Sequence, residues 1–296
     1  MPENLLTQIL LPGLLGLIMF GMGLSLVKED FFRLFKMPKP IGLGLLGQMI
    51  LMPLLAFCMA LMFELPTHLA VGLMMLAACP GGSMSNLFSH IARANLALSV
   101  TLTAISTVIC VFSTPWIIQF AINYFSDQEP IQFSLFNTSV GLAMVSLLPV
   151  FLGLLVRAKW ASLALRWEPF FRRYSVVFMI IMVGSLALQD TDLLIVSMKQ
   201  VFWATAALNL GSIAIGIVLG TVCRLAIMDS LTLGIEVGVQ NASMAILIAV
   251  SFLGEPSFAT AAGVYGVTMY LGATLLVLGI KFARNYTSDL SVENQN

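Results

Sequence analysis

The chain has 296 residues, of which 59% are hydrophobic and only 9% are charged, and its mean hydropathy is +0.99. A soluble domain of this size carries roughly a quarter of its residues as Asp, Glu, Lys and Arg, so this composition excludes a water-exposed surface over most of the chain. Backbone groups in lipid must be paired within their own segment, which leaves helices as the sensible form. We therefore expect an all-α polytopic membrane protein.

Nine apolar segments approach or exceed the roughly twenty residues that are needed to cross a bilayer. They are residues 5–27, 41–63, 68–90, 96–124, 133–156, 174–189, 200–223, 230–253 and 257–280. The first has no preceding Lys or Arg and lacks the pattern of a cleaved signal peptide, so we expect it to stay as a helix. The absence of a transit peptide favours a bacterial inner membrane over a plastid envelope.

The basic residues predict the orientation of the chain. With the N-terminus outside, thirteen of the fourteen Lys and Arg residues fall in cytoplasmic loops or in the tail, and only Lys199 falls outside. The outer loops are acidic instead, with Glu64, Asp127, Glu129, Asp190, Asp192 and Glu255. We therefore predict a multi-pass protein of the inner (plasma) membrane, with its N-terminus outside and its C-terminus in the cytoplasm.

One acidic residue, Glu236, lies inside an apolar segment, whereas the other thirteen lie in loops, ends or tails. A carboxylate at this depth costs about 3 kcal/mol or more, and such residues usually serve an ion path or a substrate. No Lys or Arg lies at comparable depth in another segment. The counter-charge is therefore a proton or a bound cation, or else Glu236 is a neutral, hydrogen-bonded group in a helix interface.

Two segments are interrupted by polar and helix-breaking residues. The third contains Cys79-Pro-Gly-Gly-Ser-Met-Ser-Asn86, and the eighth contains Glu236-Val-Gly-Val-Gln-Asn-Ala-Ser243. Proline removes a helix donor, and glycine loosens the backbone, so both helices are predicted to break near the midplane. Broken helices in corresponding positions of two halves indicate a transporter binding site between inverted repeats.

The pairing of these segments predicts the domain organisation. Segments one to four match segments six to nine, which places the third against the eighth. We expect one transmembrane transporter domain over residues 1–296, with a first repeat at about 5–124, a second at about 133–280, and a cytoplasmic tail at 281–296. The carbonyl ends of half-helices suit a hard cation, and their amide ends suit an anion.

At these motifs the sequence resembles the bile acid:sodium symporter family, as a nine-span bacterial member. The matching stretches are Gly16-Leu-Ile-Met-Phe-Gly-Met-Gly-Leu24, Cys79-Pro-Gly-Gly-Ser-Met-Ser-Asn86, Ala97-Leu-Ser-Val100 with Thr103, and Ile235-Glu-Val-Gly-Val-Gln-Asn241. The resemblance implies a panel domain and a core domain, with the third and eighth helices discontinuous and crossing in the core.

The resemblance also implies the binding residues. A first sodium ion would be held by Ser85, Asn86, Ser99, Thr103 and Glu236. A second would be held by Gln48, Glu236 and Gln240, together with the carbonyl groups of Val237 and Val239. Ser83, Asn241 and Tyr270 would face the substrate. Tyr270 and Leu271 depart from the polar pattern of the family at this place, which favours a small carboxylate over a steroid.

The sequence thus predicts a secondary active symporter that carries an organic anion with sodium as the coupling ion, and we expect two sodium ions. A proton-coupled or uniport transporter of an organic anion or oxyanion is the first alternative, and a membrane sensor is the second. No P-loop, Ser/His/Asp or HExxH arrangement is visible, so we expect neither enzymatic activity nor catalytic or cofactor-binding residues. The expected partners are a small organic anion and the lipid bilayer, with no nucleic acid and no obligate protein partner.

Overall fold

The computed structural model describes residues 10–126, 134–189 and 191–293. Within these ranges the chain is helical apart from short connections, and the β pairing found there is an isolated antiparallel bridge between Gly81 and Gln240. The prediction of an all-α protein is confirmed.

Twelve helices, numbered here in chain order, fill the described ranges. They are α1 (Leu11–Ser25), α2 (Lys28–Lys36), α3 (Pro38–Met62), α4 (Thr67–Ala78), α5 (Ser83–Ile91), α6 (Leu96–Phe125), α7 (Leu135–Lys159), α8 (Ala161–Gln189), α9 (Thr191–Val222), α10 (Ile227–Gly238), α11 (Ala242–Phe252) and α12 (Ala259–Glu293). A single π-helical turn interrupts α3 at Gly47–Leu51, α7 at Ala143–Leu147 and α11 at Ile248–Phe252. Such turns are often found at functional sites.

By length and composition, five helices of the described part could each cross a bilayer alone: α3, α6, α7, residues 199–222 of α9, and residues 256–284, which include most of α12. Helices α1 and α2 pass the same test together, with a bend of 64° between them. The third and eighth predicted spans are each divided into two shorter helices. The count of nine spans stays a prediction, and residues 5–9 of the first span lie outside the described residues.

Several segments that the sequence placed in cytoplasmic loops or in the tail are helical. Helix α2 follows α1 directly, α8 begins at Ala161, and α12 continues to Glu293. In α2 the side chain of Asp30 accepts a hydrogen bond from the Val27 amide, and the same carboxylate forms an ion pair with Arg33. The loop prediction rested on charge density, which does not distinguish a loop from an amphipathic helix at the membrane surface.

The helices form two packed groups. Helix α1 packs along α7 and α8, and the remaining spanning helices pack around α4, α6, α9, α10 and α12. Every residue from Leu69 to Ala78 in α4 is buried, and so is every residue from Ser230 to Ala249, which covers most of α10 and α11. The two groups correspond to the panel and core domains that the resemblance implies, and both broken helices lie at the centre of the core.

The connections within the core have a spacing that fits the two predicted repeats. In the described ranges four residues have a positive φ angle, namely Glu64 (47°), Arg93 (51°), Arg224 (57°) and Gly254 (69°). They follow the ends of α3, α5, α9 and α11 respectively. Arg224 follows Glu64, and Gly254 follows Arg93, by about 160 positions in the sequence, as two repeats require. Equivalent helices therefore end in the same left-handed conformation.

Candidate cation and anion site

The site is built where the two broken helices cross. Helix α4 ends at Ala78 and α5 begins at Ser83, while α10 ends at Gly238 and α11 begins at Ala242. The amide of Gly82 donates to the Val239 carbonyl at 3.0 Å, and the amide of Asn241 donates to the Pro80 carbonyl at 3.0 Å. The predicted breaks at these motifs are confirmed.

These two backbone hydrogen bonds are equivalent under the repeat symmetry. The same shift along the sequence, about 160 positions, takes Gly82 to Asn241 and Pro80 to Val239. Exchanging the two halves of the chain therefore turns each of these hydrogen bonds into the other. Each break thus donates one hydrogen bond to the other break and accepts one from it, as the predicted repeats require.

Hydroxyl groups surround the carboxylate of Glu236, which is 4% exposed. Ser85 donates to Oε1 at 2.6 Å, Thr103 donates to Oε2 at 2.9 Å, and Ser99 also donates to Oε1. The hydroxyl of Ser99 also lies 2.8 Å from Oδ1 of Asn86. The five side chains of the first predicted cation site therefore form one connected group.

Rigid elements position this group. Ser85 lies in the first turn of α5, and Ser99 and Thr103 lie one turn apart on α6. Gly81 allows the helices to approach, because a Cβ atom on this residue would stand only 2.9 Å from Oε2 of Glu236. Three hydroxyls from two helices thus converge on a single buried carboxylate.

An amide pair lies on the other side of the crossing. Gln48 Nε2 donates to Gln240 Oε1 at 2.7 Å, and Gln240 Nε2 donates to Gln48 Oε1 at 3.2 Å. Gln48 also donates to the Cys79 carbonyl, and Gln240 donates to the Val237 carbonyl at 2.7 Å. The π-helical turn of α3 contains Gln48. Together with the Val239 carbonyl at the crossing, these groups place the second predicted set around one break.

The three residues predicted to face the substrate line one small cavity, of about 30 Å³, with the starts of α5 and α11. Ser83 is the first residue of α5, and Asn241 precedes α11, where its Oδ1 accepts from the Met244 amide at 3.1 Å. The Nδ2 group of Asn241 donates to the sulfur of Met19, which also lines this cavity, at 4.0 Å. Tyr270 packs its ring against Phe88, with 6.0 Å between the ring centroids.

A larger cavity of about 290 Å³ lies beside the first and shares Ile18 and Ser83 with it. It is lined by Asn86 of the carboxylate group and extends to Ser25, His90 and Glu168 near helix ends. The charge pattern predicts that the ends of α1 and α5 lie on the cytoplasmic side. The larger cavity therefore extends from Asn86, beside the buried carboxylate, toward these helix ends.

Two further residues touch the crossing and were not predicted from the sequence. Asn209 Nδ2 donates to the carbonyl of Gly238 at 2.8 Å, and the hydroxyl of Tyr265 donates to the same oxygen at 2.9 Å. A lone Asn in an apolar segment was the only available signal, and such a residue also occurs wherever two helices share one hydrogen bond.

A helical core with two crossing broken helices, a buried carboxylate and opposed helix ends is an arrangement typical of polytopic membrane transporters. The chain belongs to the sodium bile acid symporter family, whose model matches residues 12–200. The resemblance that the sequence motifs indicated is therefore confirmed.

Relatives from plants, bacteria and animals are similar over most of the chain. The probable sodium/metabolite cotransporter BASS1, chloroplastic, of Arabidopsis thaliana is 32% identical over 257 residues, which are 86% of this chain and 62% of that protein. The uncharacterized sodium-dependent transporter YocS of Bacillus subtilis is 31% identical over 266 residues, covering 88% of this chain and 80% of that protein. The P3 protein of Homo sapiens is 29% identical over 247 residues, and this chain spans 51% of it.

Proposed function

We propose that the chain is a sodium-coupled symporter that moves a small organic anion by alternating access. The observation that carries this proposal is the buried Glu236 carboxylate inside a shell of hydroxyl groups. Among the residues whose burial the structure describes, no Lys or Arg is buried. A cation is therefore the natural counter-charge at this position.

The first sodium ion would bind among Ser85, Asn86, Ser99, Thr103 and Glu236. All five offer oxygen atoms, which are the ligands that hard cations prefer. A hydroxyl carries one donor and two lone pairs, and it rotates to suit its partner. The hydroxyls that donate to the carboxylate therefore turn their lone pairs toward a cation that binds beside it.

The second sodium ion would bind to Gln48, Glu236 and Gln240 and to the carbonyls of Val237 and Val239. In the structure Gln240 Nε2 donates to the Val237 carbonyl, and the Gly82 amide donates to the Val239 carbonyl. For Gln240 to coordinate the ion beside the Val237 carbonyl, its side-chain amide must rotate so that Oε1 takes the place of Nε2. This exchange links occupation of the second site to the geometry of the α10 break.

The anion would bind at the converging starts of α5 and α11, where free amides and the positive ends of the helix dipoles favour negative charge. Ser83, the Nδ2 group of Asn241 and Tyr270 would contact it. The smaller cavity holds about one water molecule, so the anion must also occupy the adjoining space of about 290 Å³. That volume lies at the lower end of the range for ligand sites and favours a small carboxylate over a steroid.

Coupling follows from the shared breaks, because the cation and anion sites use opposite ends of the same interrupted helices. Each positive charge that crosses the membrane potential supplies about 2.3 kcal/mol per 100 mV. Two sodium ions with one monoanion would move one net charge inward. The proposed location is a bacterial inner membrane with the N-terminus outside. The names of the Arabidopsis and Bacillus relatives, a sodium/metabolite cotransporter and a sodium-dependent transporter, support sodium coupling.

The test uses purified protein and a panel of small carboxylates, with melting temperatures measured in sodium chloride and in matched potassium chloride. We expect a carboxylate that stabilises the protein only in sodium, since ligands of the native state raise its stability by mass action. The same carboxylate should then enter proteoliposomes along a sodium gradient. Equal stabilisation in both salts would overturn sodium coupling and favour a proton-coupled carrier or a uniporter.

A charge-neutral variant locates the cation. Glu236→Gln keeps the size of the side chain and removes its charge, so we expect it to abolish sodium-dependent stabilisation and uptake. Glu255→Gln, at an exposed acidic residue in the α11–α12 connection, is the matched control and should behave as the unmodified protein. Full sodium dependence in Glu236→Gln would remove this carboxylate from the mechanism.

A further inference from the structure

A second buried polar group surrounds the last carbonyl of α10. The Gly238 oxygen accepts from Asn209 Nδ2 of α9 at 2.8 Å and from the Tyr265 hydroxyl of α12 at 2.9 Å. Asn209 is 1% exposed and Tyr265 is 0% exposed. Ser212 stands 3.5 Å from the same hydroxyl. Two helices outside the predicted ligand sets thus hold one peptide group at the break.

The repeat symmetry explains why Asn209 occupies this place. Gln48 donates to the Cys79 carbonyl at 3.0 Å, and a shift of about 160 positions takes Gln48 to Asn209 and Cys79 to Gly238. Asn209 is therefore the counterpart, in the second repeat, of a predicted sodium ligand. Each repeat uses a side-chain amide to hold the carbonyl at the end of its broken helix.

The two halves differ in the second partner. Gln48 also pairs with the side chain of Gln240, whereas the equivalent position in the first repeat is Gly81, which has no side chain to offer. The Tyr265 hydroxyl supplies the second donor instead. The Gln48–Gln240 amide pair can open to bind a cation. At the equivalent place in the other repeat, Asn209 and Tyr265 hold the Gly238 carbonyl by hydrogen bonds.

The packing around Asn209 fixes the direction of its amide. A Cβ atom on Gly272 of α12 would overlap Oδ1 of Asn209, so only glycine permits this approach. That Oδ1 is buried and receives no hydrogen bond. With its nitrogen toward Gly238, the amide satisfies this carbonyl and leaves its own oxygen without a hydrogen bond.

We propose that Asn209 and Tyr265 are positioning residues that set the affinity of the second sodium site by fixing the Gly238 peptide. Gly238 lies between Val237 and Val239, whose carbonyls are the backbone ligands of that site. Glycine has unusual rotational freedom, so without external partners both neighbouring carbonyls would share that freedom. This inference rests on the proposed function and adds two residues that do not themselves contact the ion.

The test uses two variants that leave every predicted ligand in place. Tyr265→Phe removes one donor, and Gly272→Ala displaces the Asn209 amide without changing any polar group. Thr205→Val is the matched control, because this buried hydroxyl of α9 bonds only within its own helix. For each protein, half-saturating sodium is measured at fixed anion by melting temperature and by uptake, and anion affinity is measured at saturating sodium.

We expect both variants to need roughly five- to tenfold more sodium for half-saturation, the effect of losing about one hydrogen bond. Anion affinity at saturating sodium should change less than twofold, and Thr205→Val should match the unmodified protein in both titrations. A lower melting temperature in potassium with unchanged sodium half-saturation would indicate a merely structural role and overturn the inference. The unmodified protein is titrated first, so a protein without any sodium response refutes the proposed function itself.

Discussion

Gly81→Ala is the most direct steric test of the carboxylate site. A Cβ atom at this position would stand 2.9 Å from Oε2 of Glu236, 3.6 Å from its backbone oxygen and 3.8 Å from the Val239 oxygen. The first of these distances is too short for a real contact, so the carboxylate must move. Oε2 is the atom that accepts from Thr103 at 2.9 Å. The methyl group therefore competes with one hydrogen bond of the site.

The structure sets the size of the effect. A hydrogen bond to a charged group contributes about 1.5–3 kcal/mol, and a loss of about 2 kcal/mol corresponds to roughly thirtyfold weaker binding. We expect the half-saturating sodium concentration of Gly81→Ala to rise by about that factor. The measurement is a sodium titration of the melting temperature at fixed carboxylate, followed by uptake into proteoliposomes.

Gly42→Ala supplies the control, because a Cβ atom there meets no atom within 4 Å. This variant should keep the sodium response of the unmodified protein. The melting temperature in potassium shows whether Gly81→Ala is folded. A folded Gly81→Ala protein with sodium half-saturation within twofold of the unmodified protein would refute the assignment of this carboxylate as a sodium ligand.

Three further predictions concern the amide pair, the helix ends and the orientation. Gln48→Leu leaves the buried Gln240 amide without its partner, so we expect a loss of about 1–3 kcal/mol of stability and a Hill coefficient for sodium that falls toward one. Arg224→Gly should raise the free energy of unfolding and Gly254→Ala should lower it, each by about 1 kcal/mol, because only glycine adopts a positive φ angle without cost. Melting temperatures show the sign, and shifts of the opposite sign would contradict the assigned strain. A membrane-impermeant maleimide should label Cys223 in inside-out vesicles but not in right-side-out vesicles, and the reverse result would invert the predicted orientation.

The carboxylate site could be predicted from the sequence because polar side chains are costly, and therefore rare, within apolar membrane segments. Glu236, Gln48 and the hydroxyls of α6 lie in apolar segments, where each needs a partner that only another such residue provides. Pro80 with the two glycines after it marks the first break for an equally local reason. The structure brings these residues together as the motifs predicted, and their role as sodium ligands stays a proposal.

Other parts could not be read from the sequence because their meaning depends on three-dimensional packing. The bonds from Asn209 and Tyr265 to the Gly238 carbonyl link residues far apart in the chain, and neither residue type is unusual in a membrane helix. The helical form of α2 was missed because its charges suggested a loop. The sequence predicts that the third and eighth spans each divide into two half-helices. The residue at which each half-helix ends depends on the backbone hydrogen bonds between the two breaks, which the sequence does not reveal.

The two backbone bonds at the crossing also have a mechanical consequence. Gly82 and Asn241 each stand at the start of a helix and donate to the break of the other repeat, so neither break can straighten into a continuous helix while the other stays as it is. The two hydrogen bonds at the crossing therefore join both repeats into one rigid body. If the protein works by the proposed alternating access, we expect this body to move as a unit against α1, α7 and α8 and to carry the bound ions and anion with it.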